Sequence, residues 1–331
     1  MSRPARGQAL LSDDVVRIEE WRRLPAAVLP VLGVAAAYYV AGRLGLLQRV
    51  VLDGAVVTAL WAPTGIALAA LLWRGPRVWP GIALGTYLTI ERIASFHPAD
   101  VGILAGNTLA PLCAYVLLGR AGFRVELDRL RDGVALVFLG GLIPMLISAT
   151  LGTWTLVATG NLALSRFWPV WTAWWAGDAM GVLVVTPLLL TLRRARIPRD
   201  GYRVVEATAL LVTAVTVSLV ATRSSLSLLF LVFTVLVWAA VRFQLAGSAP
   251  CALLVSVLAV LAATDHAGPF ADHTLLEVMV TLQLLNGAAA LTGLLLAALV
   301  TEQNDVRLRI ERICEDLAEV VEQLGPTKPE H

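Results

Sequence analysis

The segment Trp171–Leu190, WTAWWAGDAMGVLVVTPLLL, decides how the whole chain is read. It is an apolar run of roughly the 20 residues that cross a hydrocarbon core, yet it holds one carboxylate, Asp178. An ionised acid near a bilayer midplane costs roughly 2.5–3.5 kcal/mol on insertion scales. A chain that accepts this cost turns the acid toward a bundle interior, where it binds, couples or packs something polar. Trp171, Trp174 and Trp175 mark the interfacial end of the span. Asp178 then lies about one to two turns inside the membrane, a position that suits a functional or a purely packing role.

The rest of the chain agrees with a membrane setting. Apolar residues make up 58% of the 331 and charged residues only 15%, against roughly half and a quarter in soluble domains. Membrane-length segments fall at approximately 25–47, 55–73, 78–95, 101–119, 133–157, 170–192, 204–222, 226–241, 246–264 and 275–300. The expected fold is therefore all-α: a polytopic transmembrane helix bundle of about ten spans.

Charge distribution orients it. With the N-terminus cytoplasmic, only Arg43, Arg49, Arg92, Arg166 and Arg223 fall outside, leaving 21 of the 26 Lys and Arg inside. The positive-inside rule then predicts cytoplasmic N- and C-termini in the cell's inner membrane. These arginines are split among loops without interleaved aromatics, which excludes a nucleic-acid partner. The polar segment 1–23 lacks the apolar core and cleavage site of a signal peptide and reads as a cytoplasmic leader. Cys113, Cys251 and Cys314 have spacings that suit neither a metal site nor a disulfide framework.

Glycine and proline cluster in the first six spans: Pro63 and Gly65, Pro80, Gly81 and Gly85, Gly140, Gly141 and Pro144, Gly177, Gly181 and Pro187. Gly81–Gly85 and Gly177–Gly181 match the small-xxx-small spacing that lets helices approach closely. A tight contact among spans 2, 3 and 6 is expected. The connection 119–133 is polar and amphipathic, and either lies on the inner leaflet through Val125, Leu127 and Leu130 or forms a plain cytoplasmic loop.

Past Val300 the texture changes. Val306, Ile310, Ile313, Leu317, Val320 and Leu324 recur at alternating spacings of four and three, an a/d seam of about two and a half heptads. Gly325-Pro326 then stops the helix. The expected organisation is a polar leader (1–23), a membrane domain (24–300) and a cytoplasmic coiled-coil tail (301–331). The tail would pair with a second copy or with a partner protein.

The candidate ligand-binding or signalling residues are Asp178, Asn107, Trp61, Pro63, Gly65, Trp175, Gly177 and Asn286. Asn107 is the expected partner of Asp178, since a neutral amide donates to a buried carboxylate without adding charge. Asp265, His266, Asp272 and His273 share one outer loop, but as adjacent pairs around a Gly-Pro turn they read as solvated rather than metal-binding. No phosphate loop, nucleophile elbow or metalloprotease motif occurs in the sequence. Neither catalysis nor a cofactor is expected.

Four segments, in order, carry a family resemblance: WAPTGIALAALLW (61–73), RVWPGIALGTYLT (77–89), AGNTLAPLCAYVLL (105–118) and WWAGDAMGVLVVTPLLL (174–190). Together they resemble the MASE1 family, an integral-membrane sensory domain of bacteria, over about residues 28–300. Gly268-Pro269-Phe270 is similar to that family's outer loop. The resemblance implies a signal-input domain, usually fused to a diguanylate cyclase, a phosphodiesterase or a histidine kinase. Such an output is expected in trans here, because the sequence runs only to His331. Ala110 stands where the family often has an acidic residue. A small-molecule transporter or permease-like subunit is the alternative, since an intramembrane acid and Gly/Pro-interrupted spans fit it too.

Overall fold

The computed structural model describes residues 28–47, 50–52, 55–93, 95–193, 201–226 and 228–324, with side chains as far as 320. The leader 1–23, most of the basic loop after Arg193 and the Gly325-Pro326 stop lie outside these residues. Among the described residues ten helices follow one another: α1 (Val28–Leu46), α2 (Ala62–Arg74), α3 (Trp79–Ile93), α4 (Val101–Arg120), α5 (Leu130–Ala135), α6 (Met145–Ala158), α7 (Phe167–Leu192), α8 (Gly201–Arg223), α9 (Leu231–Thr264) and α10 (Leu275–Leu324). A seven-residue π-helical stretch, Leu136–Leu142, follows α5. Among the described residues seven helices are long and apolar enough, by length and composition, to cross a membrane.

Two of the expected spans take other forms. The segment 55–73 is not one helix: β1 (Val50–Leu52) and β2 (Ala55–Val57) pair antiparallel, with Val51 opposite Val56. An extended stretch then leads from Thr58 into α2, whose 13 residues begin at the Trp61–Pro63 step. Pro63 sits at the helix start, where its missing N–H costs nothing. Helix α3 has 15 residues, fewer than the roughly 20 of a full span. The all-α expectation thus holds apart from one short hairpin.

The expected spans at 226–241 and 246–264 both fall within α9, broken at Gln244 with φ 52° and ψ −139°. The chain reverses there. A Cβ on Gly247 would lie 3.0 Å from Ala239 O, whereas eight residues along a straight helix advance about 12 Å. Val235 and Leu236 accordingly share a core cluster with Cys251 and Ala252. Arg242 clamps this turn to α8, donating to both carboxylate oxygens of Glu206 at 2.5 and 2.8 Å. Backbone of this kind suits glycine and costs other residues about 1–3 kcal/mol. Gln244→Gly is expected to raise stability by about 1 kcal/mol, read as a higher melting temperature in detergent; a lower one would show that the Gln244 side chain holds the turn.

Packing centres on α7, which buries fifteen residues along its length. Its tightest neighbour is α2. A Cβ on Gly65 would overlap Gly181 O, and one on Gly181 would overlap Trp61 O. Thr186 Oγ1 donates to Gly65 O at 3.1 Å, and the Trp61 N–H donates to Gly177 O at 2.9 Å. The close approach expected of spans 2 and 6 is present. The glycines of α3, however, face α1: a Cβ on Gly85 would lie 2.7 Å from Tyr38 Cβ, and one on Gly81 would overlap Val31 O.

At the end of the bundle from which the C-terminal helix projects, residues 121–132 fold back on the protein. Val125 and Leu127 join the core around Leu118 and Leu136 instead of facing lipid, and Leu127 takes a left-handed backbone. Buried Asp132 organises the turn, accepting from Arg129 Nε at 2.9 Å and from the Arg124 N–H at 3.2 Å. Glu302 on α10 accepts the Leu130 N–H at 2.9 Å, satisfying a donor at the start of α5 that has no helical partner. The loop thus grips α10 where that helix leaves the bundle.

Candidate functional site

A cavity of about 380 Å³ lies among α1, α3, α4, α6, α7, the hairpin and the stretch before α2. Its mouth carries Leu46, Ile93, Asp100 and Asn161, at helix ends opposite the tail. Tyr38, Trp61, Trp174 and Asp178 form its inner walls. The extended stretch through Thr58 supplies one side. Non-helical backbone at membrane depth is tolerated where it lines a cavity or is buried in protein, and here it does both.

Asp178 is 1% exposed. Thr64 Oγ1 donates to its Oδ1 at 2.7 Å. Ser148 and Trp174 stand beside the carboxyl as further donors, and among the described residues Oδ2 makes no close hydrogen bond. The expected pairing with Asn107 is not formed. Asn107 donates to Ile103 O in its own helix at 3.0 Å and accepts a long 3.4 Å contact from Tyr38 OH. Both residues nonetheless line the same cavity. Geometry explains the change of partner: tight α2–α7 packing brings Thr64 to the acid, while Asn107 is satisfied within α4.

Of the other candidates, Trp61 and Gly177 line the cavity. Pro63 and Gly65 are buried and act in helix initiation and close packing. Trp175 does not line it. Its Nε1 donates to Leu142 O at 2.7 Å. That carbonyl is free because the Leu146 N–H bonds to Ile143 O where the π stretch ends. Trp175 therefore closes a helix break and stacks on Trp171 at 6.1 Å.

Asn286 also lies away from the cavity, on α10, fully buried with neither side-chain polar atom bonded among the described residues. An unsatisfied buried polar group costs about 1–3 kcal/mol. Asn286→Leu, alike in branching, is expected to raise stability by about that amount. A fall in melting temperature would mean that the amide has a polar partner.

Tyr38, Thr64 and Trp174 were not among the sequence candidates. Thr64 had a signal, a lone hydroxyl following Trp61-Ala62-Pro63 at a helix start. Tyr38 and Trp174 had none, because aromatics in apolar spans read equally as core. On the outer loop, Asp265 accepts from Arg223 Nη2 at 2.7 Å, which ties the ends of α8 and α9 together. Among the described residues no group of three His, Cys, Asp or Glu could hold a metal ion.

The family model of MASE1 matches residues 30–304, most of the 331-residue chain. The chain belongs to the MASE1 family. MASE1 is a family of membrane-associated sensory domains, so the chain is a multi-pass membrane protein of sensory type. The matched region holds the cavity and nearly all of the membrane-embedded part of α10. Neither a curated protein nor a solved structure matches the chain.

Proposed function

We propose that this MASE1 protein is a non-enzymatic signal-input unit of the inner membrane, with the Asp178 cavity as its input and α10 as its output. In this reading the chain crosses the membrane ten times with both termini cytoplasmic, short α2 and α3 and both arms of α9 each counting as a crossing. The output partner is a diguanylate cyclase or a histidine kinase acting in trans, engaged by a homodimer or heteromer through Val306, Ile310, Ile313, Leu317, Val320 and Leu324.

One observation carries the reading: α10 is a single helix of 50 residues. At about 75 Å it far exceeds a hydrocarbon core of roughly 30 Å. Beside the cavity wall it packs on α7. Gln283 Nε2 donates to Ala173 O at 3.1 Å, and Gly287 faces Met180. Beyond the bundle, Val306, Ile310, Ile313, Leu317 and Val320 stand 49–59% exposed along one stripe. A rigid rod that touches the cavity helix at one end and shows an apolar seam at the other suits signalling. A ligand that prefers one arrangement of α10 needs about 1–3 kcal/mol of differential binding to shift it.

Transport is less well supported. The cavity's described walls run from Asp178 to the mouth, while Leu68, Leu183 and Leu136 pack the bundle toward the tail. Affinity purification from native membranes tests the proposal, comparing the intact chain with one ending at Gln303. Recovery of a cyclase, phosphodiesterase or kinase with the intact chain alone is the expected result. Equal recovery with both chains would refute a role for the tail.

A further inference from the structure

We propose that the cavity binds a small organic ammonium ion, with Asp178 as its counter-ion. The inference rests on the reading of this cavity as the input site, and adds the chemistry of what enters. Asp178 Oδ1 is held by Thr64, while Oδ2 is buried with Ser148 and Trp174 beside the carboxyl and, among the described residues, makes no close hydrogen bond. A half-satisfied carboxylate in a low-dielectric interior is costly unless a cation or donor meets it. Charge around it has one sign. Among the described lining residues the acids are Asp178 and Asp100, and none is Lys, Arg or His. An anionic ligand would meet two carboxylates and no counter-charge.

The walls suit an organic cation better than a bare metal ion. Tyr38, Trp61 and Trp174 bring three aromatic rings to the pocket that contains the acid, and aromatic faces attract ammonium groups. Ile90, Ile103 and Val57 offer an apolar surface for a carbon stem. A volume of about 380 Å³ lies at the lower end of the roughly 300–1,000 Å³ of small-molecule sites. It far exceeds one ion, and the described residues provide no cluster of three metal ligands. Asp100 at the mouth adds a second negative charge on the entry path.

Calorimetric titration of the full chain in maltoside micelles near neutral pH tests this. The probes are propylamine, hexylamine and phenethylamine, each against the alcohol of the same skeleton, together with phenylacetate. At least one amine is expected to bind about tenfold or more tighter than its alcohol, with no binding of phenylacetate. Asp178→Asn, which keeps an acceptor for Thr64, is expected to remove that preference while melting as the parent does. If Asp178→Asn fails to fold, Asp100→Asn is expected to weaken amine binding by about two- to fivefold through its charge alone.

Repeating the titration in phosphatidylethanolamine nanodiscs and in phosphatidylglycerol nanodiscs separates two sources of the ammonium. Competition in the former alone identifies a lipid headgroup, and equal binding in both a free amine. Alcohols binding as tightly as amines, amine binding unchanged in Asp178→Asn, or no amine binding across the series would each overturn the ammonium assignment. None of these results bears on whether the cavity governs the tail, which has its own readout at Cys314.

Discussion

Gly181→Ala is expected to cost more than about 3 kcal/mol and to leave little folded protein in the membrane. The added methyl would overlap Trp61 O, a backbone atom that cannot rotate away. Separating the helices would also strain the Trp61 N–H bond to Gly177 O and the Thr64 bond to Asp178. Alanine's better helix propensity returns only about 1 kcal/mol, so the clash decides the sign. Gly33→Ala is the control: nothing lies within 4 Å of the added methyl, and this change is expected to be neutral or stabilising by up to about 1 kcal/mol. Monodisperse yield and thermal melting in detergent read both. Equal stability of the two variants would contradict the α2–α7 contact.

Leu317→Glu is expected to weaken association through the tail by about tenfold or more while leaving the bundle's melting unchanged. Leu317 is 59% exposed and lies beyond the packed bundle, so the folded monomer loses almost nothing. In a paired helix the same side chain would be a seam residue, and burying a charge there without a partner costs several kcal/mol. The exposed Arg307–Glu311 pair on the same helix, at 2.9 Å, contributes at most a few tenths of a kcal/mol, so the apolar seam sets the affinity. Sedimentation of the purified chain alone and with its output partner reads the effect. Unchanged association would remove the tail from the account.

Asp178 could be read from sequence because a carboxylate in an apolar run has one economical place to go, the protein interior. The glycines of α3 and α7 were legible for a related reason: small residues four apart permit contacts that larger ones forbid. Their partners were not, since spacing says that a face is small and not what it meets. Gly81 and Gly85 therefore looked ready for a bundle with spans 2 and 6 and instead meet α1. The 55–73 run read as one span because hydropathy does not separate a short strand and an extended stretch from helix. Pro63, two residues after Trp61, was the local sign that a helix starts there. A turn between the spans expected at 226–241 and 246–264 was legible, and the break at Gln244 falls there; its left-handed backbone was not, because glutamine is an unusual residue for that conformation. Trp175 was drawn toward the site by its neighbours Trp174 and Asp178. The broken helix at Leu142 that claims its indole is marked by Gly140, Gly141 and Pro144, but those residues do not say which donor meets the freed carbonyl.

If the state of the cavity reaches the tail as proposed, a distance across the opposite end of the bundle changes with it. Spin labels at Cys314 on α10 and at Arg120→Cys on α4, both exposed, would be compared in the parent and in Asp178→Asn, with Cys113 and Cys251 replaced by alanine. Helix shifts in switching proteins are roughly 1–2 Å or larger. A changed distance or a changed ratio of two distances in Asp178→Asn is the predicted result. Identical distributions, with both proteins equally folded, would contradict coupling between the cavity and the tail.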